Sequence, residues 1–372
     1  MTIVTTTYFT GLNGLRAIAA LSVVFSHITL SLNLFGLDPF VFGKYTDGNP
    51  KATLLAGFGV SIFFSISGFL ITYLLVKEKS LQTINIKKFY TRRILRIWPL
   101  YFIYLTLVVI SLNYYEVTFE KSSLLFYIFL SANIPFIFGG VIEYLGHYWS
   151  LGVEEQFYLF WPIIIKYSKN VIRLSIILCI SLVVLKLLIY SLSKKNEGLI
   201  PIYEIIHVTR FQCMLIGAIG GILFYKKNQL FLSIAKHRFI QIVSWFIVIL
   251  IAINKFHLIS VLDNEFVSII AVFLILGQIE NNKKIINLEN IPLDFLGKLS
   301  FGIYVVHPLI IFFTSKFIQF KTDEKFNYII VFMVVFTLTI LVSFISYKFI
   351  EKPILRFKKK FEVISSKSSM NS

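Results

Sequence analysis

The chain has 372 residues, of which 57% are hydrophobic, 17% aromatic and only 15% charged. A mean hydropathy of +0.79 leaves too few polar residues to cover a soluble fold of this length. The formal charge of +17 does not mark a nucleic-acid binder, because the basic residues sit in short stretches between apolar blocks, the distribution left by the positive-inside rule.

The apolar blocks are about twenty residues long, enough to cross the hydrocarbon core. They predict an all-α integral membrane protein with about ten transmembrane helices, at 15–35, 57–76, 97–114, 149–166, 171–192, 208–225, 239–255, 264–280, 297–316 and 327–350. Residues 1–14 hold no Lys or Arg, so the first apolar run is expected to be a retained span and not a cleaved signal. The stretch 123–138 has the length of a short span but contains Asn133 and Pro135 and ends on Gly139 and Gly140. If it does not cross, 25 basic residues fall on one side and nine on the other; if it does, the asymmetry collapses. It is therefore expected to be interfacial or re-entrant on the outer side, with both termini cytoplasmic. Residues 1–356 form the expected membrane domain and 357–372 a basic, Ser-rich cytoplasmic tail, with no soluble domain attached. Cys179 and Cys213 lie inside apolar blocks and suggest neither a disulfide framework nor a metal site.

In chain order, the first span carries Arg16 and His27. Eleven residues bring the two side chains to within roughly 20° of one face and roughly 16 Å apart along the axis. An intramembrane histidine usually faces a cavity, whereas Arg16 taken alone reads as a snorkelling anchor at the cytoplasmic interface; a shared face makes it expected that the two line one cavity. The second span places Ser61, Ser65, Gly68 and Thr72 in a stripe that suits close helix packing and leaves room for a slender chain. Arg92, Arg93 and Arg96 precede the third span. They read either as a topology determinant or as a phosphate site, and a planar guanidinium fork suits the latter. The fourth span opens HYWSLGVEEQFY, where Glu154 and Glu155 are costly in a membrane and Ser150 is a candidate helix cap. Arg210 opens the sixth span. Ser300, Tyr304 and His307 share one face of the ninth, and Pro353 is expected to end the tenth.

Together these segments resemble acyltransferase family 3, multi-span bacterial enzymes that O-acylate surface polysaccharides and related acceptors. The resemblance runs from about residue 9 to about residue 356. It rests on Arg16 and His27, on RRILRIWPLY and WSLGVEEQFY, and more weakly on SFGIYVVHP and FIEKP. The chain departs from the family at Phe301, Val306 and Gln212, and no fused hydrolase-like domain is expected after the last span. The resemblance implies an acyl group, usually acetyl, carried from cytoplasmic acetyl-CoA or another acyl-CoA to a carbohydrate or other hydroxyl acceptor at the outer face of the bacterial inner membrane. Acyl-CoA enters as co-substrate, with no permanently bound cofactor and no metal. His27 becomes the candidate base, with Glu154 or Glu155 as candidate orienting groups and Ser26 or Ser65 as weaker candidates for a covalent intermediate. Arg16, Arg92, Arg93 and Arg96 become donor-phosphate ligands. Ser61, Ser65, Trp149, Ser150, Gln156, Tyr158, Arg210, Ser300, Tyr304 and His307 become surrounding or acceptor-side residues. A transporter and a non-catalytic binding subunit are the competing classes; no internal repeat between the two halves supports the transporter.

Overall fold

The computed structural model describes residues 5–45, 48, 50–280, 284–362 and 364–367. The end of the expected tail, 368–372, lies outside them. The helices are α1 (Leu12–Leu30), α2 (Thr53–Leu81), α3 (Ile86–Tyr114), α4 (Ser123–Ile128), α5 (Asn133–Phe138), α6 (Tyr148–Tyr167), α7 (Val171–Ser193), α8 (Ile200–Thr209), α9 (Phe211–Tyr225), α10 (Gln229–Lys236), α11 (Arg238–Ala252), α12 (Asp263–Glu280), α13 (Ile291–Phe317), α14 (Lys325–Ser346) and α15 (Lys352–Lys358). Beside this bundle, the backbones of β1 (Thr5–Tyr8) and β2 (Ile364–Lys367) pair in parallel, a small exception to the all-α expectation.

Seven helical segments among the described residues are long and apolar enough to cross a membrane, and eight if the α10–α11 pair, bent by 57°, is one span. The remaining two expected spans are α6 and α12. Both have the length, but α6 carries Glu154, Glu155 and Gln156, and α12 carries Asp263, Asn264 and Glu265. Their polar residues face the bundle, as membrane polar groups must. The ambiguous stretch folds into α4 and α5, each six residues and so about 9 Å long, too short to span.

Three expectations need correction. Arg92, Arg93 and Arg96 lie within α3 and not in a loop: the Asn85 side chain caps the helix by accepting from the Lys88 amide at 2.9 Å, so it starts eleven residues before the apolar block. Ser150 sits inside the first turn of α6 and not at its cap, which is His147. Pro353 does not end the last helix. A π-helical turn, Tyr347–Glu351, interrupts it, and α15 restarts with Pro353 in its first turn, where no N–H is needed.

The serine stripe of α2 packs against α9 at backbone contact. A Cβ on Gly68 would lie 2.0 Å from the Met214 carbonyl oxygen, and one on Gly217 would lie 2.1 Å from that of Ser65. No slender chain fits along this face. Nearby, α8 breaks into α9 at Arg210, a non-glycine residue with φ of 45°. Its guanidinium holds the break by donating to the His207 and Gly57 carbonyls and to Asn264 Oδ1, at 3.1, 3.2 and 3.1 Å. The fully buried Lys186 of α7 pairs with Glu265 of α12 at 2.7 Å, and Gln212 of α9 donates to the same carboxylate oxygen at 2.8 Å. Charge is tolerated here because it is paired and hydrogen-bonded.

Candidate active site

Helices α1, α2, α3, α6 and α13 surround a polar interior with two differently built ends. One end is cationic. A cavity of about 440 Å³ is lined by Arg16, Arg92, Arg93, Arg96, Ser67, Tyr158, Lys298 and residues of the C-terminal segment. It continues into a narrower one of about 100 Å³, which shares Arg16, Arg93, Arg96, Ser67 and Tyr158 and adds Ser150, Glu154, Ser300 and Tyr304. Of the four arginines, only Arg92 has an ion-pair partner among the described residues, Glu78 at 3.5 Å. Arg93 lies over the rings of Phe89 and Tyr158 at 5.6 and 5.3 Å, its Nε buried without a hydrogen bond. Three unpaired guanidinia converging on one space form a site for an anion.

Glu154 is the acid that faces this space, and it accepts from both the Ser67 and Tyr158 hydroxyls. Glu155 points the other way, toward α3, where it accepts from Trp98 Nε1 at 3.1 Å. Neither glutamate touches an imidazole. Glu351 lies buried in the π-helical turn, within electrostatic reach of Arg96, and neither of its carboxylate oxygens has a hydrogen-bond partner among the described residues. It stands in the FIEKP segment but has no predicted role.

The other end is built from imidazoles. A third cavity of about 210 Å³ is lined by His27, His147, Tyr144, Ser31 and an apolar wall that includes Leu30, Leu34, Pro308 and Ile311. His27 Nδ1 and His307 Nε2 are 2.7 Å apart. His307 Nδ1 is 3.1 Å from the Ile303 carbonyl, which can only accept, so this nitrogen carries the proton. In the neutral pair His307 Nε2 is then an acceptor and His27 Nδ1 its donor. The lone pair of His27 is thereby confined to Nε2, which has no hydrogen-bond partner among the described residues. His147 follows the same rule: Nε2 donates to the Val305 carbonyl at 3.1 Å, and the buried Nδ1 is left as an unpartnered acceptor. Two carbonyls of α13 therefore set the tautomers of all three rings. Tyr144 lies outside the spans. Burial first, and then the neighbouring Glu143, push its phenol up to about 12, so it stays a neutral donor.

The two ends meet at Tyr304, which lines the narrow cavity, and His147, which lines the histidine cavity. Tyr304 donates to the His147 carbonyl at 2.8 Å and meets the Ser150 hydroxyl at 2.5 Å, closing the narrow cavity beneath the histidines. The predicted face of α13 is thus used throughout, with Ser300 and Tyr304 on the cationic side and His307 on His27.

Other predicted residues lie elsewhere. Ser61 donates to Asn264 Oδ1 at 2.8 Å and Ser65 to the Ser61 carbonyl, against α9. Ser26 donates to the Ala52 carbonyl at 2.8 Å and faces none of the three cavities. Trp149 lies beneath Arg210 at 5.1 Å, and Gln156 donates to Asn133 at 2.8 Å, tying α5 to α6. These residues, which the sequence groups with the site, hold neighbouring segments together. Ser67, His147, Tyr144 and Glu351 are the additions. His147 was visible only as the residue before YWSLG, and Ser67 lies between Ser65 and Gly68 but off the polar stripe.

A multi-span helical bundle with an anion site at one end and a tautomer-fixed histidine at the other defines a membrane protein built for group transfer. The chain belongs to the family described as "Acyltransferase domain", acyltransferase family 3, whose sequence profile matches residues 9–348. It is 27% identical to O-acetyltransferase OatA of Staphylococcus aureus over 96% of this chain and 58% of that protein. A second Staphylococcus aureus protein, provisionally named an O-acetyltransferase, is 29% identical over 93% of this chain and 57% of its own length. The chain thus spans somewhat over half the length of these curated relatives. No solved structure matches it at a significant level.

Proposed function

We propose that the protein is a membrane O-acetyltransferase that takes an acyl group, acetyl in the first instance, from cytoplasmic acyl-CoA and places it on a hydroxyl of a sugar or related acceptor at the outer face of the bacterial inner membrane. The observation that carries this reading is an arginine cluster drawn from α1 and α3, without ion-pair partners among the described residues, set apart by Tyr304 and Ser150 from the α1 histidine whose lone pair is confined to Nε2. The donor's phosphates rest with Arg16, Arg93 and Arg96, on the side that charge asymmetry assigns to the cytoplasm. Its pantetheine arm enters the narrow cavity toward Ser150 and Tyr304. The acceptor hydroxyl enters the histidine cavity.

His27 Nε2 takes the hydroxyl proton as the oxygen attacks the thioester carbon. The C–S bond breaks, and the imidazolium returns its proton to the departing thiolate, giving the ester and free CoA. His307 holds the ring through Nδ1 during both transfers. General-base help of this kind contributes about 10² to 10⁴ in rate, and positioning in a dry site contributes more. Direct transfer is favoured over an acyl-serine, since Ser26 and Ser65 are committed to backbone carbonyls.

The test uses proteoliposomes supplied with isotopically labelled acetyl-CoA, together with mass spectrometry of surface glycans from cells with and without the gene. The expected result is a labelled acetate ester on a hydroxyl acceptor and its loss from the gene-less glycans. Binding of acetyl-CoA with no ester formed on any acceptor would favour a non-catalytic subunit, and no interaction with acetyl-CoA would remove the donor reading.

A further inference from the structure

The cationic cavity is not closed by the spans alone. After the π-helical turn, α15 and a short 3-10 turn, Lys359–Phe361, fold back over it and place Leu355, Lys358, Lys359 and Glu362 in its wall. A strap from α3 fixes this segment: Arg92 Nη1 donates to the Phe361 carbonyl at 2.8 Å while Nη2 pairs with Glu78. Arg92 is thus already engaged with protein groups, unlike Arg16, Arg93 and Arg96. Lys358 and Lys359 add charge to the wider part of this space, where Glu362, 3.5 Å from Lys358, is the one lining carboxylate among the described residues, Glu154 facing the narrower part. A tail serving only as a topology signal would have no reason to fold into the wall of a cavity already crowded with guanidinia. Like charges held this close favour an anion between them.

We propose that the C-terminal segment is a wall of the donor site, in which Lys358 and Lys359 neutralise a phosphate of the bound nucleotide thioester and Arg92 holds the segment in place. This rests on the acyl-CoA reading above. It divides the cluster by role: Arg16, Arg93 and Arg96 bind from the spans, the lysines bind from the tail, and Arg92 positions.

The test measures equilibrium binding of CoA, and of pantetheine as a phosphate-free probe, to the full chain held in nanodiscs. Lys358→Gln/Lys359→Gln should weaken CoA by about tenfold or more, the scale of one lost charge-assisted contact, and leave pantetheine unchanged. Lys352→Gln, exposed on the same helix and outside the cavity wall, should leave both unchanged. If the double variant loses its thermal transition, Lys359→Glu at an exposed position carries the same expectation for CoA. Wild-type affinity for CoA in the lysine variants overturns the proposal, as does an equal loss for pantetheine, which would mark a packing role. Failure of the wild type to bind CoA removes the donor reading, and this proposal with it.

Discussion

The arginine end and the histidine end solve opposite problems with opposite means. At the arginine end charge is gathered: three guanidinia without carboxylate ion-pair partners among the described residues look into one space. At the histidine end the tautomers of the neutral rings are fixed, by the Ile303 and Val305 carbonyls and by the 2.7 Å contact between rings. The first arrangement suits holding a polyanion whose exact pose is secondary. The second suits moving one proton at one atom. A third region, around Lys186 and Glu265, shows what charge looks like when it serves the fold: paired, hydrogen-bonded and sealed.

The comparison is broken most severely at His27. His27→Gln keeps a hydrogen-bonding side chain but cannot take a proton at neutral pH. Transfer should fall by about 10² to 10⁴ while membrane insertion and CoA affinity stay near wild type. Near-normal transfer by a folded His27→Gln protein would move the base elsewhere.

Lys186→Met tests the third region. Leaving Glu265 buried without its cation should cost about 3–5 kcal/mol, seen as a lower thermal transition in detergent. Transfer per folded molecule should be unchanged; a specific loss of turnover would draw this cluster into the site.

At the arginine end, Arg96→Lys keeps the charge and loses the planar fork. CoA affinity should drop by about tenfold with turnover at saturating donor preserved. A fall in turnover alone would place Arg96 in the chemistry.

The smallest effect is expected at His307. In His307→Gln the amide oxygen still accepts from His27 Nδ1–H, so transfer should fall only a few-fold, whereas His307→Leu removes the acceptor and should cost clearly more. Equal activity in the two variants would mean that the tautomer of His27 is set by something other than this contact.

Much of this was legible in the sequence, for identifiable reasons. Helices twenty residues long in lipid have few alternatives, so ten segments and the non-crossing stretch at 123–138 follow from hydropathy and charge. The shared face of Ser300, Tyr304 and His307 follows from helical spacing alone. What spacing cannot give is which helices meet. The partnership of His27 with His307 crosses 280 positions of chain. Glu154 and Glu155 looked interchangeable until the rotation of α6 turned one to the cavity and the other to Trp98. Ser61, Ser65 and Arg210 stood out because polar groups in a span are expensive, and which neighbours satisfy them, Asn264 and the Gly57 and Ser61 carbonyls, could not be read from spacing. His147 escaped notice because it precedes its helix, outside any periodic pattern.

The Tyr304–Ser150 contact carries one more consequence. In a membrane-spanning bundle hollowed from both ends, a continuous wet path between the hollows would let water and ions through. With its hydroxyl bound to the His147 carbonyl and to Ser150, Tyr304 stands between the two hollows. If the proposed donor reaches His27 from the arginine end, Tyr304 has to move aside as the donor's arm arrives.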